Sequence, residues 1–177
     1  VVAGLAVEYL VTERRLRPSA AWLALPLAPV AGYLTYLRVR TGHWDAYTRA
    51  MRDYWHRTTD WPWHGLATTW HAAFDSSQGS PYQVFWFAEI AAVIVGVLLT
   101  IAVVRERRWG EATFVALCTL IMASSSYWAS GVRAILVAFP LYLWLSRHRL
   151  SGYAYALLAT PLMAVFVVAF TQGSWVD

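Results

Sequence analysis

Arg133 stands where a cation could meet a phosphate. It closes the run Ser124-Ser125-Ser126-Tyr127-Trp128-Ala129-Ser130-Gly131-Val132-Arg133, a short polar stretch leading into an apolar segment. Its guanidinium therefore falls at a predicted helix start, and fork donors beside unpaired helix amides suit a phosphate group. A snorkelling Arg on bulk lipid headgroups fits the same position, so both readings stand at this point. His56, His64 and His71, interleaved with Asp60 and Asp75, have the residue types of a metal centre. Pro62 interrupts any helix that would align them, and no His-x-x-x-His or Glu-x-x-His pair occurs, so no metal site is predicted. Ala129-Ser130-Gly131 has the form of an intramembrane serine nucleophile turn. The one later His, His148, lies in a basic loop and cannot act as its base. Neither a catalytic residue nor a cofactor site is predicted within this chain.

Elements of an unusual composition must position these residues. Hydrophobic residues make up 59% of the chain and charged residues 14%, with 11 Trp, which is too apolar for an ordinary soluble domain of this length. A membrane-spanning helix needs roughly 20 mostly apolar residues. The candidates are Ala20 to Leu37, Val84 to Val104, Gly110 to Ser126, Val132 to Leu145 and Gly152 to Phe170, with Val1 to Val11 too short to span. The fold class expected is all-α: a polytopic transmembrane helix bundle of about five to six spans with an extracytoplasmic amphipathic-helix loop. Val1 opens inside an apolar run with no initiator Met, so residues 1–177 read as the C-terminal transmembrane portion of a larger protein. Cys118 is alone in an apolar segment, where a free buried thiol is expected.

Three short basic loops set the orientation. Arg14-Arg15-Leu16-Arg17, Arg105-Glu106-Arg107-Arg108 and Arg147-His148-Arg149 fall at every second gap between apolar segments, and cytoplasmic loops carry the excess of basic residues. Residues 38–82 are then extracytoplasmic, with Arg38 and Arg40 the exception to the rule. The net charge of +4 sits at helix ends rather than along one stripe, which suits an anionic membrane surface and not nucleic acid. Pro26, Pro29, Pro140 and Pro161 are expected to bend their spans. Glu89, one turn inside its span, is expected to reach the interface rather than to relay protons.

The outer loop has its own order. Trp44, Tyr47, Met51, Tyr54 and Trp55 recur at helical spacing opposite Asp45, Arg49, Arg52, Asp53 and His56, which predicts an interfacial helix over Trp44 to Trp55. Asp60 before Pro62 marks a second helix start, with Leu66, Trp70, Ala73 and Phe74 as its apolar stripe. The loop reads either as an aromatic belt or as the roof of a cavity, with Arg57, Trp61 and Trp63 over a sugar or lipid-linked substrate.

These residues resemble a known family. Thr41-Gly42, Tyr54-Trp55-His56-Arg57, Trp61-Pro62-Trp63, the run Arg133 to Pro140 and the closing Phe170-x-x-Gly173-x-Trp175-Val176 are similar to the C-terminal part of the bacterial branch of PIG-V-type GPI mannosyltransferases, within the GT-C class. The resemblance implies a multi-pass protein of the bacterial plasma membrane. It implies transfer of mannose from a polyprenyl-phosphate donor on the extracytoplasmic side, by inversion with an acidic base. It assigns the donor phosphate to Arg133, although Ala134 stands where the family usually has Tyr. The acidic base would lie in an outer loop that these residues lack, and Trp44-Asp45-Ala46 matches the family's Trp-Asp-Ala motif only in the wrong loop. Partners implied are the lipid bilayer and the sugar donor. The competing class is a non-catalytic polytopic protein, a transporter half or an assembly subunit, which would be expected to carry polar residues or discontinuous helices at the midplane.

Overall fold

Apolar runs and the residues that interrupt them set the element boundaries. The computed structural model describes residues 1–15, 17–74, 80–147 and 149–171, and the regular elements among these are all helices. Helix α1 is Val2–Glu13, followed by a 3-10 stretch Pro18–Leu27 that runs directly into α2, Ala28–Thr41. Residues 38–82 supply α3, Ala46–Trp55, and α4, Pro62–Phe74. Then come α5, Ser80–Arg105, α6, Trp109–Ala123, α7, Gly131–Leu136, α8, Phe139–Arg147, and α9, Arg149–Thr171. Two of these segments have the length and hydropathy to cross a membrane, Pro18–Thr41 and Gln83–Arg105. Trp109–Ala123 and Gly152–Val168 are apolar but shorter.

Proline places two of the boundaries. Pro26 lies in the 3-10 stretch, and Pro29 falls in the first turn of α2, where a missing N–H costs nothing. Pro140 has a stronger effect. Its ring would clash with the carbonyl four residues back, at Leu136, and α7 ends at Leu136. The expected single helix Val132 to Leu145 is therefore two short ones. Tight turns join them, with Ala138 N–H on the Ile135 carbonyl and Phe139 N–H on the Val137 carbonyl, 3.0 and 2.8 Å.

An antiparallel core forms from α5, α6 and the α7–α8 pair, with α1 laid along α6. Leu99, Val103, Ala112, Val115, Ala138 and Leu141 fill one half. Ala92, Val93, Met122, Ala123 and Trp128 fill the other. Close approach depends on glycine where α1 crosses α6: a Cβ on Gly4 would stand 3.1 Å from Phe114 Cβ, and one on Gly110 would stand 2.7 Å from Glu8 Cβ. By contrast, α2 and the 3-10 stretch bury no residue, and large apolar side chains such as Ile121, Leu157 and Leu158 point outward.

The two ends of this core differ in chemistry. At one end Arg147 pairs with Glu106 at 2.9 Å, Arg108 pairs with Glu111 and approaches Glu106, and Gly110 N–H donates to Glu8 Oε2 at 3.2 Å. The basic loops at residues 105–108 and at Arg147 thus meet at one end. The opposite end holds residues 55–60 and the connection 124–130.

Candidate functional site

The end that holds residues 55–60 is built by pinning them onto the α6–α7 connection. His56, with φ 50, closes α3 in the left-handed region, and Arg57 N–H returns to the Met51 carbonyl at 3.0 Å. The chain then runs extended beside residues 124–126, with Thr59 and Ser125 forming an antiparallel bridge. Ser126 N–H donates to the Thr58 carbonyl at 2.9 Å, and Asp60 N–H donates to the Ser124 carbonyl at 3.3 Å. Thr58 N–H donates to Ser126 Oγ at 3.1 Å, and Tyr127 Oη–H donates to the Trp55 carbonyl at 2.7 Å. Side chains 68 positions apart in sequence meet here, Arg57 Nε–H donating to Ser125 Oγ at 2.7 Å.

Helix α4 seals this contact through small residues. Its buried face is Gly65, Thr69 and Ala73; of the expected stripe Ala73 is buried, while Leu66, Trp70 and Phe74 are 40%, 49% and 51% exposed. The reason is distance: Gly65 lies against the Ser125 carbonyl and Trp128, where any larger side chain would hold the helix off. Thr69 Oγ1 accepts Trp128 N–H at 2.8 Å, and the Trp128 indole N–H donates to the Ala123 carbonyl at 3.0 Å. Small residues four apart in α4 were the sequence signal for this face.

Two cavities flank the C-terminal end of α6. One, of about 430 Å³, lies between α3 and the connection and is lined by Tyr47, Arg52, Arg57, Thr58, Ser124 and Ser125 among others. It holds two guanidinium groups and a row of hydroxyls. The other, of about 550 Å³, is an apolar groove between α5 and α6, running from Trp63 and Leu66 of α4 past Val93 and Val97 to Thr100 and Ala116. Leu120 and Ala123 of α6 face the groove, and Ile121 and Ser124 face the polar cavity.

The predicted site residues are only partly brought together. Arg57 lines the polar cavity and Trp63 the groove, while Trp61 stacks on Trp63. Arg133 is exposed at the third position of α7 and lines neither cavity. The amide expected to join it at a phosphate is engaged, because Gly131 N–H donates to Glu89 Oε2 at 2.6 Å. Glu89 is 0% exposed, so it does not snorkel to the interface. Instead α7 folds back over this part of α5 and offers a backbone donor.

The amphipathic helix forms as α3, with Tyr47 and Met51 over the polar cavity. Trp44 and Tyr54 of the same predicted face stay exposed. Arg38 lies over the Trp44 ring at 5.9 Å, giving this cation an aromatic partner. Asp60 sits at the start of α4, its carboxylate accepting Trp61 N–H at 2.7 Å and meeting His64 Nδ1 at 2.9 Å. The His64 contact first, and the Trp61 amide second, hold this carboxyl below the usual range. No group of three or more His, Cys, Asp or Glu that could hold a metal ion occurs among the described residues. Asp75 and Ser76 to Gly79 lie outside them, as do His148 and residues 172–177. The chain matches no protein-family model, no curated protein and no solved structure.

Proposed function

We propose that this chain is the C-terminal part of a multi-pass bacterial plasma-membrane mannosyltransferase of the GT-C class. It takes the sugar from a polyprenyl-phosphate donor on the extracytoplasmic side, and residues outside this chain supply the acidic base. The spans beyond the two long helices are α6, the α7–α8 pair and α9. The observation that carries the proposal is the polar cavity holding Arg52 and Arg57 beside an apolar groove at one end of the bundle. A polyprenyl-phosphate sugar has the same division, an anionic phosphodiester head that seeks fork donors and an apolar stem that seeks to leave water. The outward apolar faces of α5, α6 and α9 support burial in a bilayer, since soluble proteins rarely expose such continuous apolar surface.

In this reading Arg57 is held for the phosphate by Ser125, Arg52 adds a second charge, and Arg133, which the family resemblance uses, stands at the same end on α7. Arg57→Gln, Arg133→Gln and Arg133→Lys in the complete membrane protein separate their parts. Removing one charge-assisted contact to the phosphate costs about 1.5 to 3 kcal/mol, roughly tenfold to a hundredfold in donor affinity. Arg57→Gln is expected to raise the donor concentration needed for transfer by that factor. An equal effect at Arg133, with Lys unable to rescue, assigns it a bidentate contact as well. If transfer keeps its normal donor dependence in all three variants, the site assignment fails; if wild type moves no mannose, the functional reading fails.

A further inference from the structure

Trp61 and Trp63 stack with ring centroids 4.9 Å apart and planes 8° from parallel, yet remain 62% and 59% exposed. The His64 ring stands nearly perpendicular to Trp63, at 82° and 6.1 Å. We propose that Trp61, Trp63 and the Asp60–His64 pair form a recognition site for a neutral hexopyranoside. The inference rests on the reading of this chain as a handler of lipid-linked sugar.

The geometry fixes both parts of such a ligand. The negative face of an indole attracts the weakly positive C–H hydrogens on one face of a pyranose. Stacking of the two rings restricts their rotamers, so little freedom is left to lose on binding. The polar part comes from His64. Asp60 is ionised and can only accept, so the proton of a neutral imidazole lies on Nδ1, between the two side chains. Nε2 is then the acceptor, aimed by a carboxylate that is itself held by the Trp61 amide. A flat apolar face with a fixed acceptor at a right angle matches a sugar ring with one hydroxyl donating sideways. Tryptophans serving only as a headgroup belt need no perpendicular partner held in one tautomer.

The position links this platform to the lipid-phosphate site. Asp60 N–H is tied to the Ser124 carbonyl, Thr59 lines the polar cavity, and Pro62 and Trp63 line the groove. A sugar stacked on the open face of this pair therefore lies within a few residues of the place proposed for the donor head. The hexose could be the donor's own mannose or the terminal residue of the acceptor.

The test uses the complete membrane protein in phosphatidylcholine nanodiscs, with methyl α-mannopyranoside and polyprenyl-phosphate mannose as probes. Saturation transfer from protein to sugar ring protons reports binding. Trp63→Ala is expected to weaken binding of the mannoside at least tenfold. His64→Gln and Asp60→Asn are expected to weaken it about threefold to tenfold through the lost or misaimed acceptor, with circular dichroism unchanged. Transfer to the free mannoside assigns the platform to acceptor sugar, and transfer to the lipid-linked mannose alone assigns it to donor sugar. Absence of transfer to either probe in wild type overturns the inference. So does unchanged sugar binding in folded Trp63→Ala and Asp60→Asn, and quenching by brominated lipid lost in the same variants would mark a headgroup belt instead. Binding of unmodified polyprenyl phosphate, measured in parallel with Arg57→Gln, keeps the two readings apart. Its loss in wild type with sugar binding retained sinks the lipid-phosphate site and spares the platform.

Discussion

Replacing Gly65 by Ala tests the packing of α4 on the α6–α7 connection. The added Cβ would overlap the Ser125 carbonyl and lie 2.8 Å from Trp128 Nε1 and 3.1 Å from Trp128 Cδ1. Ser125 is held in a bridge with Thr59, and Trp128 is buried by bonds to Thr69 and Ala123, so neither neighbour can yield cheaply. Overpacking of this kind costs about 1 to 3 kcal/mol. A hydrogen bond lost as α4 lifts away adds about 1 kcal/mol, and the better helix propensity of Ala returns up to about 1 kcal/mol. The net expectation is destabilisation by about 2 kcal/mol, close to thirtyfold in the folded-to-unfolded ratio. Gly32 is the internal control. It lies in α2 with nothing within 4 Å of its would-be Cβ, so Gly32→Ala should be neutral or stabilising by up to about 1 kcal/mol. Equilibrium unfolding in mixed micelles, followed by circular dichroism, measures both. Equal stability of the two variants would refute the close packing of α4 on the 124–128 connection.

Two further expectations concern the ends of the molecule. With Cys118 replaced, a cysteine at position 56 should react with an impermeant thiol reagent in intact cells and one at position 106 should not, because the two positions lie at opposite ends of the bundle; the reverse pattern inverts the orientation. The Asp60 carboxyl lies below its ordinary value, so its contribution to the start of α4 is fully present above the unfolded carboxylate value of about 4. It is lost as pH falls through the lower folded value. Protection of residues 60–64 from hydrogen exchange, followed on acidification, should fall in that window in wild type and show no such step in Asp60→Asn.

Helix existence was legible in the sequence because it is local. The apolar runs, the polar face of Trp44 to Trp55, the start signal at Asp60 and the alternation of basic loops all follow from residues close in the chain, and α2, α3, α4, α5 and α6 form where these signals stand. The tertiary structure decided what lies far apart in sequence. It paired residues 57–60 with 124–126, opened the cavity that collects Arg52, Arg57 and Ser124, and turned α4 so that Gly65, Thr69 and Ala73 pack while its large apolar side chains face outward. It also buried Glu89 under Gly131 and took that amide away from Arg133. A periodic pattern gives the faces of a helix but not the partner each face meets. The partner is set by which surfaces can approach closely, and here glycine, threonine and backbone carbonyls allow contacts that bulkier apolar stripes cannot make.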